Sequence, residues 1–377
     1  MHAKLHNYPA DVSFAMTVHG TKQMSQPLVS VALVVCNVDR FLAEAIESIL
    51  AQKFREFEFI IVDFGSTDNS KSIISQYSAG DSRIKFHEIP HCGLAEARNA
   101  ACSLAQGKYI AIMDADDVSL PERLAREVDF MEAHPEVGVV GGAVECIDAT
   151  GKAIVVWGKP AADREIRSAF KEQSPLWQPT VLIRRDAFAD VGGYRGPFAP
   201  AEDYDLWLRI AEHFQLANLD QVILRYRIHP SQVSYQKRRQ QTLGFLGAQL
   251  SASSRSEGIP DPLDSITEIT PELLAALGVS KTKQQRQLAS DRREWIRYMS
   301  MAGEDAVALQ ATLDTLQSDL EYIERWRIAD LRLTAAQLYW RQGLHVSAIL
   351  SAAHAVLTYP VMVGRPLKPL LKKLGLA

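Results

Sequence analysis

Short apolar runs alternate with segments of helical periodicity from Pro27 to about Val155. "LVSVALVV" (28–35) reads as a buried strand. "RFLAEAIESILAQ" (40–52) follows, with Phe41, Leu42, Ala45, Ile46, Ile49 and Leu50 at helical spacing. "FEFIIV", "RIKFHEI" and "KYIAIM" read as three more strands. "STDNSKSIISQYS" and "LAEARNAACSLAQ" read as the helices between them, the first with Ser66 or Thr67 as N-cap and Asp68 near its positive end. This alternation predicts an α/β fold with a mostly parallel sheet flanked by helices. Ligands of such sheets gather at the carboxyl ends of the strands, where Asp63 and Asp114 fall. The order then changes. "VGVVGGAVECID" and "AIVVW" read as paired strands, and a mixed pattern runs on to about Tyr235. Residues 236–269 are polar and read as a linker. From about 270 the pattern is helical, and 327–360 predicts an antiparallel helix pair turning at Gly343.

Composition narrows this picture only slightly. A hydrophobic fraction of 47% and a charged fraction of 23% describe an ordinary globular chain. No apolar run approaches the roughly 18 residues that cross a bilayer. Residues 1–26 lack the apolar core of a secretory signal and are expected to be a loose, flexible leader. The four cysteines, Cys36, Cys92, Cys102 and Cys146, have neither metal spacing nor a disulfide framework, which suits a cytoplasmic protein. From Leu331 to Ala377 there are six Lys or Arg and no Asp or Glu, so the rest of the chain carries about −10 of the net −4. So acidic a body argues against nucleic acid as a partner. The basic, Leu-rich stretch 359–377 is expected to meet an anionic membrane surface, placing the protein at the periphery of the inner face. A lysine-decorated helix broken by Pro366 and Pro369 fits the same residues equally well.

The strongest chemical signal is "KYIAIMDADDVSLPERL" (108–124). A buried strand delivers Asp114, Asp116 and Asp117 within four positions. Each adjacent ionised pair at about 4 Å repels by roughly 4 kcal/mol at an effective dielectric near 20, so a cation, a proton or full solvation must offset the charge. Hard oxygen donors favour Mg2+ or Mn2+, with substrate phosphates completing the shell. Helix capping alone does not call for three aspartates, because Ser119 and Glu122 already read as a capping box. Neither a Walker A loop nor a dinucleotide-binding glycine fingerprint occurs. A second acidic pair, Glu202 and Asp203, opens an amphipathic helix. It either complements the helix dipole or faces the metal–phosphate site and takes a proton from a hydroxyl. Arg227 and His229 share one side of a strand end, where arginine suits phosphate and histidine suits a metal, although a lone histidine is more often structural.

Taken together, "VSVALVVCNVDRFLAEAIESILAQ", "FIIVDFGSTDNS", "CGLAEARNAACSLAQGKYIAIMDADD", "EDYDLWLRI" and "YRIHPSQVS" resemble, in order, the motifs of bacterial family 2 glycosyltransferases. The resemblance covers about residues 27–235 and implies a GT-A domain there, with 270–377 as a helical C-terminal region ending in a basic tail. By motif, it implies Asp63 beside the base and ribose, Asp116 at the ribose or diphosphate, and Asp117 as principal Mn2+ or Mg2+ ligand. Asp114 completes that motif. Arg98 and Arg227 would contact the nucleotide sugar, and His229 would sit near the metal and diphosphate. Asp203 would be the general base of an inverting transfer, with Glu202 beside it, and Trp177 and Gln178 would border the acceptor floor. The implied partners are a nucleoside diphosphate sugar and a saccharide or lipid-linked saccharide acceptor. Phe64 stands where members often carry a second carboxylate, and the first strand ends in Val34, Val35, Cys36, Asn37 rather than in a hydroxyl-bearing turn. A stacking or wall role and an altered base preference are expected of Phe64.

Two rival readings use the same residues. A sugar-phosphate nucleotidyltransferase also binds Mg2+ through carboxylates, but "VVCNVDRF" lacks its glycine-rich basic loop. In a non-catalytic nucleotide-sugar binding protein the helical tail would supply the activity, and the presence of both Asp117 and Asp203 argues against that reading.

Overall fold

The computed structural model describes residues 26–318 and 323–361. The leader, except for its last residue, and most of the basic tail therefore lie outside the described residues. In chain order the first half contains β1 (Val29–Val35), α1 (Asp39–Leu50), β2 (Phe57–Asp63), α2 (Ser70–Gly80), β3 (Ile84–Glu88), α3 (Leu94–Ser103), β4 (Tyr109–Met113), β5 (Val118–Ser119), α4 (Arg123–Ala133), β6 (Val137–Ile147), β7 (Ala153–Trp157) and α5 (Asp163–Ala169). Then come β8 (Leu182–Arg184), α6 (Arg185–Asp190), α7 (Glu202–Ile210), β9 (Gln215–Arg227), α8 (Val233–Gln236), α9 (Arg238–Ser256), α10 (Pro271–Ala276), α11 (Lys281–Met301), α12 (Asp305–Ser318), α13 (Arg325–Arg341) and α14 (His345–Thr358).

The strands form one sheet in the order β3-β2-β1-β4-β8-β6-β9-β5, with β7 paired to β6. The first four are parallel, β8 is antiparallel to both β4 and β6, and β9 runs parallel to β6. β1 and β2 are buried almost throughout, as expected of strands covered on both faces. The chain order reverses around β1, so a crevice opens beyond the carboxyl ends of β1, β2 and β4. Short β5 pairs with Leu224 and Arg225 of β9, which brings the loop of aspartates after β4 alongside the end of β9.

Three local expectations give way to tertiary contacts. The α2 helix starts at Ser70, not at Ser66 or Thr67, because the "STDNS" side chains serve the neighbouring turn. Ser66 Oγ accepts the Asn37 N–H, Ser70 Oγ the Val38 N–H and Asp68 Oδ2 the Asp39 N–H, while Asn37 Oδ1 accepts the Thr67 N–H. The bonds to the Val38 and Asp39 N–H groups satisfy two of the orphan donors at the start of α1, and Asn37 takes a φ of 54° there. Ser119 and Glu122 form no capping box. Ser119 is drawn into β5 and bonded by Gln52, and Glu122 pairs with Lys53 and Arg126.

Finally, residues 238–256 of the segment read as a linker form α9. Its buried side is built from small residues, Gly244, Gly247, Ala248 and Ser251 beside Leu243 and Leu246, so no large apolar stripe marks it. A Cβ on Gly244 would lie 2.4 Å from the Phe198 carbonyl oxygen, so only glycine lets α9 approach the loop that leads into α7. The α13–α14 pair forms as expected. Gly343 turns it at φ 78°, and Arg332 on α13 bonds to the His354 carbonyl and the Thr358 hydroxyl.

Candidate active site

Asp63 ends β2 fully buried. Its Oδ1 accepts the N–H groups of Gly65 and Ser66 at 3.1 and 3.0 Å, and its Oδ2 has no protein partner. The chain turns there because Gly65 takes φ +98°, with the His91 side chain packed over it. Phe64 is half-buried, and its ring stacks on His91 with centroids 6.2 Å apart. Its ring offers no polar group.

The three aspartates after β4 have different surroundings. Asp114 accepts a hydrogen bond from Arg98 at 2.9 Å. Asp116 Oδ2 lies 2.9 Å from His229 Nε2, and Ser231 Oγ lies 2.7 Å from His229 Nδ1. Asp117 is fully buried. Its Oδ1 accepts the Arg227 N–H at 2.8 Å, and its Oδ2 has no partner. Burial first, and repulsion among the aspartates second, push the Asp117 carboxyl well above its ordinary range. Burial also raises Asp114, against the pull of Arg98. Among the described residues no three His, Cys, Asp or Glu groups converge into a ready-made metal cage. One carboxylate facing one imidazole, with an unpartnered carboxylate oxygen on the next residue, fits a divalent cation whose remaining ligands come from a substrate diphosphate.

Arg227 does not point a free guanidinium into the crevice. It is buried over the Phe41 ring, donates to the Asp116 carbonyl at 2.8 Å, and pairs with Glu44 on α1. It fixes the backbone of the aspartate loop. The His229 ring also rests on Phe41. Phe41 and Glu44 were not legible as site residues, because their partners stand far away in the chain.

Arg98 is likewise buried. Its guanidinium spans Asp114 on one side and Glu202 on the other, joining the two acidic motifs. The alanines at 95, 97 and 101, all buried, let α3 sit close to the sheet and aim this arginine inward. Glu202 is thus neutralised, with its Oε2 left without a partner. Asp203 beside it is half-buried, and among the described residues its hydrogen bond is from the Tyr204 N–H. Burial and then the charge of Glu202 raise its pKa to about 7, against the opposing effect of Arg98. The helix carrying Asp203 is held rigidly, because buried Asp205 pairs with both Arg195 and Arg209.

Trp177 belongs to a chain of rings, stacked on Trp157 and tilted against Tyr226. Trp157 in turn meets Tyr298 of α11. Lys159 Nζ lies 4.5 Å from the Trp177 ring centre. Burial lowers its pKa to about 8, opposed by Glu294 and Asp203. Gln178 is buried and donates to the Tyr194 hydroxyl at 2.8 Å. Trp157, Lys159, Tyr226 and Tyr298 carried no local sequence signal.

The family described as glycosyl transferase family 2 matches residues 30–192. An uncharacterized glycosyltransferase of Methanocaldococcus jannaschii is 33% identical over 222 residues, 57% of this chain and 76% of its own. The Escherichia coli enzyme WfaP is 31% identical over 213 residues, 56% of this chain and 81% of its own. Its name describes a UDP-Glc:alpha-D-GlcNAc-diphosphoundecaprenol beta-1,3-glucosyltransferase. Staphylococcus aureus TarS, solved with UDP-GlcNAc, superposes with a TM-score of 0.50 at 17% identity, covering 86% of this chain and 90% of that one, a likeness of fold. The sheet order, the crevice and these relatives agree: the protein is a glycosyltransferase of family 2 with a GT-A fold.

Proposed function

We propose that the protein is an inverting, metal-dependent transferase that moves a sugar from a nucleoside diphosphate sugar to an acceptor hydroxyl. The observation that carries this reading is the pairing of Arg98 with Asp114 and Glu202, which leaves Asp203 as the available carboxylate beside the aspartate loop. A carboxylate with a pKa near 7 suits general-base work at neutral pH. Asp203 would take the proton of the acceptor hydroxyl as its oxygen attacks the anomeric carbon. The bond from that carbon to the diphosphate oxygen breaks on the opposite face, so one displacement inverts the centre. Asp116 and His229, with the free oxygen of Asp117, would hold Mn2+ or Mg2+, which when bound supplies positive charge to the leaving diphosphate. Asp63 and the Phe64 wall would bind the nucleoside, and the Trp157–Trp177–Tyr226 rings would border the acceptor. WfaP's named acceptor supports a saccharide, including a lipid-linked one, for cell-surface polysaccharide or glycolipid synthesis.

A thermal-shift panel of nucleoside diphosphate sugars tests this, since stabilisation grows as RT ln(1 + [L]/Kd). The true donor should raise the melting temperature with Mn2+ present, and Asp116→Asn should remove the Mn2+-dependent part. No response to any nucleotide sugar would count against the reading. In the same panel Phe64→Asp should change the order of preference among bases, and an unchanged order would show that Phe64 does not set it.

Transfer should also depend on pH through Asp203. The base works deprotonated, so the rate should fall about tenfold per unit as pH drops below about 7. A flat profile down to the ordinary carboxylate range would remove Asp203 from this role.

A further inference from the structure

The last helix carries its apolar residues the wrong way round. The buried side chains of α14 are alanines, Ala348, Ala352 and Ala355, and the last two pack on Ala329, Leu333 and Ala336 of α13. Apart from half-buried Val356, its large aliphatics face outward. Val346 is 73% exposed, Ile349 53%, Leu350 57% and Leu357 78%, and Leu344 and Val361 extend the same exposure at the two ends. Positions 346, 349, 350, 353 and 357 fall on one side of a helix, with Ala353 between the larger residues. A folded chain leaves a contiguous stripe of this kind only where something covers it.

We infer that the outer face of α14 docks on an anionic lipid bilayer, lying in the interface plane with Val346, Ile349, Leu350 and Leu357 in the acyl boundary. Charge selects this occupant. The sequence from Leu331 to Ala377 has six Lys or Arg and no Asp or Glu, with Arg365, Lys368, Lys372 and Lys373 following the stripe directly. Each such cation near an anionic surface strengthens binding about fivefold. Pairing the same face with a second copy would bring two acid-free basic segments together, which like-charge repulsion opposes. Among the described residues no helix is long and apolar enough to cross a membrane, so the contact is peripheral. The inference depends on no catalytic assignment. It extends the contact expected of residues 359–377 to a helix with defined faces.

Co-sedimentation of the full chain with vesicles is the test, using pure phosphatidylcholine or equal parts phosphatidylcholine and phosphatidylglycerol. The chain should bind the mixed vesicles, much less the neutral ones, and lose binding as salt rises. The combined variant Ile349→Gln, Leu350→Gln, Leu357→Gln alters only exposed positions. It should keep the wild-type melting temperature and bind at least about tenfold more weakly. Removing residues 362–377 should also weaken binding, through the lost cations. Three results would overturn the inference. The first is no binding of the wild type to mixed vesicles, or equal binding by the triple variant. The second is tighter binding after the truncation, which would mean that the tail covers the stripe. The third is a wild-type dimer, seen by sedimentation velocity, that the triple variant converts to monomer without vesicle binding in either.

Discussion

Asp203→Asn is expected to lower sugar transfer by about 10²–10⁴-fold while leaving nucleotide binding unchanged. The amide keeps the shape of the side chain and its bond from the Tyr204 N–H, but it cannot take a proton. Glu202 cannot substitute, because Arg98 already holds its carboxylate in a buried pair. The same replacement should affect stability in the opposite sense. The folded-state pKa of Asp203, about 7, lies above its ordinary value of 3.8. Between those values the folded chain binds more protons than the unfolded one, so this residue's contribution to stability falls as pH rises through the window. Above it, burying the charge is a standing cost. Asp203→Asn removes that cost, so the variant should melt higher than wild type in mildly alkaline buffer and gain little in acid. An inactive variant that is also less stable in alkaline buffer would point to a damaged fold rather than a missing base.

The second large effect is expected at Arg98. Removing one partner of a buried charge cluster costs about 3–5 kcal/mol, because the remaining charges are left without compensation. Arg98→Met strands both Asp114 and Glu202, so urea unfolding should show a loss of that order. Adding Glu202→Gln should return part of the stability, since it removes one stranded charge, without restoring full transfer. Arg98 also lowers the pKa of Asp203, so in whatever activity remains the acid limb should move to higher pH. A purely structural arginine would shift stability and leave that limb in place. This outcome would separate Arg98 from the chemistry.

Much of this arrangement is legible in the sequence. The strand runs around "FIIV" and "YIAIM" are dense enough in Val and Ile to name themselves, and the aspartates stand at their carboxyl ends as the parallel sheet requires. What could not be read were the partners. Nothing local tells Arg227 to fold back on the Asp116 carbonyl and Glu44, or Arg98 to reach Glu202, 104 residues further along the chain. A sequence motif marks a residue as polar and well placed but does not say which neighbour will neutralise it. α9 was missed for a different reason. Its buried side is glycine, alanine and serine, so close packing replaced the large apolar stripe that periodicity detects. Ser119 and Glu122 had the spacing of a capping box, yet strand pairing and two surface ion pairs claimed them first. Local propensity was outweighed where a longer-range partner was stronger.

A single displacement with Asp203 as base inverts the anomeric centre, so the configuration of the product is decisive. With an α-linked nucleoside diphosphate sugar as donor, proton NMR of the purified product should show the β-anomer. An α-linked product would contradict the account, because retention requires a covalent or internal-return route in which Asp203 has no such part.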